Sequence, residues 1–360
     1  MRPLPCFFFF SSGALLTLAV MACGSSDATN PGPRDDAALD ASTIPPPRPP
    51  TADEDSSIPK DAGFTGPTTA LPAAAAQMAG AACDYMQRCW PAYIDEHVGS
   101  LAACKTGSTL VQEGRHRAGA VFGTAALNAA TTCFATISCD SLYGNVVQTK
   151  CAFPAPVNGG ALGAQCNKAD DCGSGRCAGN TKVACGACAA TVTLKVGDTC
   201  GVSAGTVCPA GSACLGKCVL EQGLNDPCDG DLATIAGTKI CGSGLKCTAS
   251  TCVKAGAAGA ACTKSLECDP FQLALCDKVA GQCATVEMLA LGAACKSSDV
   301  LYACGKGLRC LTPAGSADGT CQLPLAAGAA CNAVGTDTCV FGYDCNGTCV
   351  APGSDRPVCK

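Results

Sequence analysis

A short apolar-glycine phrase ending in cysteine recurs through the C-terminal half of the chain. It constrains the fold more than any other feature. The copies are Ala161-Leu-Gly-Ala-Gln-Cys166, Lys195-Val-Gly-Asp-Thr-Cys200, Ala257-Ala-Gly-Ala-Ala-Cys262, Ala290-Leu-Gly-Ala-Ala-Cys295 and Ala326-Ala-Gly-Ala-Ala-Cys331. Gln222-Gly-Leu-Asn-Asp-Pro-Cys228 is a looser copy. Starts lie about 28–36 residues apart, which marks a tandem repeat. Each unit is too small to enclose a core, so cross-links must supply what apolar burial does not.

Composition agrees. The 360 residues include 34 Cys, whereas Val, Ile, Leu, Met, Phe, Trp and Tyr together make up only about a fifth of the chain. Such a chain cannot fill one large core at native packing density, which argues against a single large enzyme domain. The formal net charge is −5, and nearly all of it falls on residues 24–70. The rest is close to neutral, with no basic stripe and no interleaved aromatics, so a nucleic-acid partner is not expected.

Residues 1–22 read as an export signal, with Arg2 followed by the apolar stretch Phe7–Val20. That stretch is too short to span a bilayer comfortably. Val20-Met21-Ala22-Cys23-Gly24 resembles a bacterial lipobox. The resemblance implies cleavage before Cys23, acylation of that cysteine and, with Gly24 following it, transport to the outer membrane or cell surface. Multiple acyl chains give stable anchoring. Export into an oxidising compartment makes the remaining cysteines a disulfide framework.

Residues 23–70 form an acidic tether rich in proline, expected to be disordered. In polyproline form it reaches on the order of 100 Å. Residues 71–155 form a helical module with six cysteines: Cys83, Cys89, Cys104, Cys133, Cys139 and Cys151. Leu71, Ala75, Met78, Ala82, Tyr85, Met86 and Cys89 recur at helical steps, and Pro91 stops that helix. Ser100 caps a second helix over Leu101–Gln112. A third covers Ala125–Ile137 with Thr124 as its cap, a short fourth follows Asp140, and Gly114–Gly123 is a loop.

Residues 156–360 are the repeats. If each phrase-ending cysteine opens a unit, the first and last units hold five cysteines, an odd number. If it closes the preceding unit, the blocks hold even numbers. The first is then Cys166, Cys172, Cys177, Cys185, Cys188 and Cys200. Next come Cys208, Cys214, Cys218 and Cys228, then Cys241, Cys247, Cys252 and Cys262. Cys268, Cys276, Cys283 and Cys295 precede Cys304, Cys310, Cys321 and Cys331, and the last block is Cys339, Cys345, Cys349 and Cys359. Parity favours this second register, and three pairings remain open within each block of four. Gly211, Gly244, Gly307 and Gly342 stand three residues before a cysteine, which suits a turn with positive φ. The expected fold class is small and disulfide-rich, the repeats being short hairpins and turns stacked as a rod.

Cys166-Asn-Lys-Ala-Asp-Asp-Cys172-Gly-Ser-Gly-Arg-Cys177 resembles the start of the Dickkopf N-terminal cysteine-rich repeat, where an acidic Asp-Cys pair precedes a Gly-x-x-Cys or a close variant. Later copies lack the Asp-Cys pair, apart from Leu266-Glu267-Cys268. The whole layout is similar to that of bacterial cysteine-rich surface lipoproteins. Such resemblance implies a scaffold and no particular activity.

Sharper motifs are outweighed by simpler readings. Gly201-Val-Ser203-Ala-Gly205 matches a nucleophile elbow but lacks its strand-to-helix setting, and only His97 and His116 are present as bases. Cys185-Gly-Ala-Cys188 lacks a redox-motif context. Cys214-x3-Cys218 and Cys345-x3-Cys349 have zinc-like spacing but lack histidine partners. Asp229-Gly-Asp231 and Asp170-Asp171 carry calcium-type oxygens without a complete binding loop. Asn346-Gly-Thr348 is a glycosylation pattern, expected to be silent in a bacterium. Arg176, Lys246 and Arg309, each just before a cysteine, are the residues a protease inhibitor would present. The expectation is a non-enzymatic protein with no catalytic residues, cofactor or metal. It is anchored to a membrane through Cys23 and displays loops to a protein or polysaccharide partner at the cell surface; protease inhibition is the runner-up.

Overall fold

The structure, a computed structural model, describes residues 65–352 apart from 117–118, 167–170, 174–175, 179–184, 201–205, 210, 233–236, 297–300, 313–315, 317 and 332–338. The expectations placed on the export signal, Cys23, the tether up to residue 64, the Gly201–Gly205 motif, Asp170 and Cys359 lie outside the described residues.

The helical module begins with α1, Leu71–Cys89. It is alanine-rich, and Leu71, Ala74, Ala75, Met78, Ala82, Tyr85 and Met86 form its buried stripe, the spacing that puts one helix face against a core. Pro91 ends α1 as expected. It also opens α2, Pro91–Tyr93, which passes into a π-helical turn over Ile94–Val98. Ser100 accepts a hydrogen bond from the Ala103 N–H at 3.1 Å and caps α3, Leu101–Arg115, satisfying one of the free amides of the first turn.

Two local expectations are corrected. Thr124 does not cap α4, Thr124–Thr136; Gly123 is the N-cap, without a side-chain bond. The Thr124 hydroxyl instead meets that of Thr69 at 3.0 Å, because Thr68–Ala70 forms a strand antiparallel to Val121–Gly123. A strand therefore occupies the end of the stretch read as disordered tether, and its partner lies in the stretch read as loop. Two short 3₁₀ pieces within Cys139–Asn145, separated by a kink at Tyr143 and Gly144, then lead into α5, Val146–Lys150.

This module has an apolar core of ordinary kind: Met78, Ile94, Phe122 and Leu127 are fully buried. Its bridges are Cys83–Cys104, Cys89–Cys139 and Cys133–Cys151. Arg88 lies along the end of α4 and donates to the carbonyls of Phe134, Ala135 and Ile137, where a cation suits the unsatisfied C-terminal carbonyls.

With Cys185 left out of the count, all six repeats carry one cross-link pattern, first to third cysteine and second to fourth. It runs Cys166–Cys177 with Cys172–Cys188, and Cys200–Cys214 with Cys208–Cys218. Cys228–Cys247 with Cys241–Cys252 and Cys262–Cys276 with Cys268–Cys283 follow. The last two are Cys295–Cys310 with Cys304–Cys321 and Cys331–Cys345 with Cys339–Cys349. The phrase-ending cysteine thus opens its unit, and the register favoured by parity is overturned. Backbone bonding gives the reason. The glycine N–H of the phrase donates to the carbonyl of the fourth cysteine that follows it, Cys185 again left out of the count: Gly163 to Cys188, Gly197 to Cys218, Gly259 to Cys283, Gly292 to Cys321 and Gly328 to Cys349. In the looser copy Asn225, with φ 68°, takes the glycine's place and donates to Cys252; asparagine tolerates that conformation better than most residues.

The third and fourth cysteines stand opposite each other on a hairpin, as in Leu245–Thr248 against Thr251–Lys254, with Cys247 across from Cys252. Each bridges away from its neighbour, to the first and second cysteines. The two cystines become the centre of the unit: Cys241, Cys252, Cys166, Cys218 and Cys321 are fully buried. Hairpins and turns dominate as expected, joined by two 3₁₀ turns in the fourth repeat, Ser265–Glu267 and Pro270–Gln272. Gly211, Gly244, Gly307 and Gly342 all take positive φ.

Repeats three to six do not merely follow one another as a rod. Each packs back onto the helical module through the loop between its second and third cysteines. In the third, the Gly144 N–H donates to the Ser243 carbonyl at 2.9 Å. In the fourth, Phe271 packs edge-on to Trp90 and Tyr143, with ring centres at 4.9 and 4.8 Å. In the fifth, the Gly307 N–H donates to the Glu96 carbonyl at 2.9 Å. In the sixth, Phe341 packs against the helical core beside Gly107. Backbones approach glycine to glycine at three of these contacts: a Cβ on Gly242, Gly307 or Gly342 would stand 2.5, 3.0 or 2.4 Å from the Cα of Gly144, Gly99 or Gly107. The rod reading missed this because the docking residues are scattered singly through loops.

Candidate functional site

In repeats three to six the loops between second and third cysteines are engaged against the helices, so what faces outward is different. It consists of the hairpins between third and fourth cysteines and the apolar-glycine turns. Each phrase forms a turn closed by an i to i+3 bond, such as Ala164 N–H to Ala161 carbonyl and Ala293 N–H to Ala290 carbonyl. Leu162, Val196 and Leu291 stand exposed at the same place in three repeats, just before the positive-φ glycine. The hairpin tips are exposed too: Leu215-Gly216 in the second repeat, Ala249-Ser250 in the third, Lys278-Val279-Ala280 in the fourth and Asn346-Gly347-Thr348 in the sixth. From three to ten residues separate the third and fourth cysteines in different repeats. A shallow open depression on the fifth repeat is lined by Leu311, Thr312, Asp318, Gly319, Thr320 and Gln322.

The polar side chains inside the fold hold it together. Asp269 is fully buried between repeat and helices. It accepts from the Tyr143 hydroxyl at 2.9 Å, from Gln272 Nε2 at 3.1 Å and from the Phe271 N–H at 3.0 Å. Burial, followed by this bond, pushes the Tyr143 hydroxyl up from its ordinary value. Lys254 sits over the Tyr143 ring and pairs with Asp140 at 3.0 Å. Tyr85, whose hydroxyl donates to the Ser138 carbonyl, is pushed up to about 12, chiefly by burial.

The residues singled out in the sequence are distributed through this frame. The His97 carbonyl accepts from Arg309 Nη1 at 3.1 Å. Burial, and then the Arg309 charge, hold the His97 imidazole below its usual value. His116 packs edge-on to Phe122 and tilted against Phe153 in another part of the module. Arg176 donates to the Ala190 carbonyl at 2.9 Å. Of the three basic residues considered for inhibition, Arg309 and Arg176 are thus used within the fold, and Lys246 is exposed on a hairpin strand. Asp229 accepts from the Lys239 and Thr238 N–H groups and the Thr238 hydroxyl. These bonds, that of Lys239 first, hold its carboxyl below the ordinary range; it acts as a loop clamp. Asp171 is buried, and its carbonyl accepts from the Gly160 N–H.

Cys188 of the Cys185–Cys188 motif is bridged to Cys172, and Cys185 is itself disulfide-bonded. The motif therefore does not close on itself as a redox pair does. Cys214 and Cys218, and likewise Cys345 and Cys349, go to different partners. Several cysteine triplets have sulfurs within 4.8 Å of one another, among them Cys166, Cys172 and Cys188. Each of Cys166/Cys172/Cys188, Cys200/Cys208/Cys218, Cys228/Cys241/Cys247, Cys262/Cys268/Cys283 and Cys295/Cys304/Cys310 contains a complete bridge, whose sulfurs carry no thiolate for a metal to bind. So dense a set of disulfides belongs to an oxidising, exported setting. No helix among the described residues is long and apolar enough to cross a membrane.

Comparison with protein-family models, curated proteins and solved structures finds no match.

Proposed function

We propose that the chain is a lipid-anchored, non-enzymatic surface protein, a disulfide scaffold that displays loops to a protein or polysaccharide partner outside the cell. The observation that supports this most is the division of labour within the repeat. One bridge pattern and one turn are used six times, the second-to-third cysteine loop docks in four repeats, and the hairpin beyond it faces solvent and varies in length. A fixed frame with variable outward loops suits recognition. The lipobox-like Val20–Cys23 supplies the anchor, and the acidic proline-rich segment sets the standoff. The reading keeps the resemblance to bacterial cysteine-rich surface lipoproteins and to the Dickkopf repeat as a likeness in scaffold.

The test is expression in a diderm bacterium fed an alkyne fatty acid. The expected result is label on the mature chain, loss of that label in Cys23→Ser, and cleavage of hairpin tips by protease added to intact cells. A soluble, unlabelled chain shielded from external protease contradicts the proposal.

A further inference from the structure

We propose that Cys185 of the first repeat is bridged to Cys359 beyond the sixth, so that the first and last repeats are covalently joined. Cys185 is disulfide-bonded, yet the four other cysteines of its repeat are paired among themselves as Cys166–Cys177 and Cys172–Cys188. Through the other repeats and the helical module every cysteine from Cys83 to Cys349, Cys185 aside, belongs to a bridge already described. The sequence then offers three other cysteines: Cys6, Cys23 and Cys359. Cys6 lies within the leader that cleavage removes, and acylation occupies Cys23. Cys359 remains.

The parity of the sequence has the same solution. With the phrase-ending cysteine opening each unit, only the first and last repeats have five cysteines. Four in each are used by the common pattern, and the one left over in the first, Cys185, answers the one left over in the last, Cys359. The choice of Cys359 rests on the leader and lipid reading. The chemistry is the same as for the other bridges. The thiolate of one cysteine attacks a mixed disulfide formed between the other and a disulfide-donating oxidant of the export compartment. The two thiols lose two protons and two electrons, and the oxidant leaves as a dithiol.

The experiment is digestion of the denatured, unreduced, thiol-blocked mature protein with trypsin and Asp-N, followed by mass spectrometry. The expected species joins Val183–Lys195 to Asp171–Arg176 through Cys188–Cys172, and to Asp355–Lys360 through the new bridge. In Cys359→Ser, one thiol per chain becomes alkylatable and maps to Cys185. The proposal is overturned if Cys185 is alkylated before reduction, bridges two chains, or stays bridged in Cys359→Ser. A Cys185–Cys23 link overturns both this proposal and the lipid anchor. Loss of fatty-acid label with the Cys359 link intact sinks the anchor alone.

Discussion

The helical module and the repeats solve the same problem with different materials. In the module, bridges tie helices that already share an apolar core of Met78, Ile94, Phe122 and Leu127. In the repeats, the buried centre consists largely of the cystines: Cys262, Cys268, Cys276 and Cys283 with Ala274 in the fourth, and Cys166, Cys172 and Cys188 in the first. One region is cross-linked and packed, while the other is packed because it is cross-linked. A unit of some thirty residues can tolerate wide change in its outward loops on this plan, since those loops contribute little to its core.

The largest effects should separate the two regions. Replacing Cys241 and Cys252 together by alanine is expected to cost about 2–5 kcal/mol and to abolish amide-exchange protection in the third repeat, with the helical far-UV signal preserved. The corresponding Cys83 and Cys104 pair should destabilise the module yet leave α1 and α3 helical. Equal loss of local structure in both would erase the distinction. In the same spirit, Leu127→Ala, at a fully buried site, should cost about 2–5 kcal/mol, whereas Leu291→Ala, 64% exposed, should stay within about 0.5 kcal/mol. Denaturant midpoints measure both.

Intermediate effects probe the docking between regions. Gly259 and Gly307 both have positive φ, but a Cβ on Gly259 meets open space while one on Gly307 stands 2.8 Å from the Val98 carbonyl oxygen. Alanine should cost about 1–2 kcal/mol at Gly259 from backbone strain alone and clearly more at Gly307. Tyr143→Phe removes one bond to buried Asp269 and should cost about 1–2 kcal/mol, with faster amide exchange around Pro270–Gln272. Unchanged exchange there would mean the bond does not hold the fourth repeat in place.

The smallest effect is a pH dependence. His97 is held below its ordinary value in the folded chain, and an unfolded histidine titrates near about 6.5. Below that pH the unfolded chain takes up a proton that the folded chain resists, so stability is full above it and declines as pH falls toward the lowered value. The urea midpoint should drop between pH 7.5 and pH 5, and His97→Gln should shrink that drop. A variant with the same slope would remove His97 from the explanation.

Much of this was legible in advance. The Ser100 cap, the α1 stripe and the positive-φ glycines follow from local chemistry that acts within a few residues. The bridge register was not, because parity assumed that every bridge stays inside its unit; Cys185 is bonded outside the first repeat, whose other four cysteines pair among themselves. Docking was hidden for a different reason. Phe271, Phe341 and Gly307 look like ordinary loop residues until the helices they meet are in place, and Arg309 read as a displayed cation although the His97 carbonyl holds it. Nothing local in Thr124 distinguishes a cap from a strand contact with Thr69.

The most direct test is the partner of Cys262. After trypsin and Asp-N digestion without reduction, the peptide Ala255–Lys264 carries that cysteine alone. It should be found joined to Asp269–Cys276, the first-to-third bridge of the fourth repeat. Finding it joined to Ile240–Lys246 or Cys247–Lys254 instead would restore the other register and contradict the repeat frame described above.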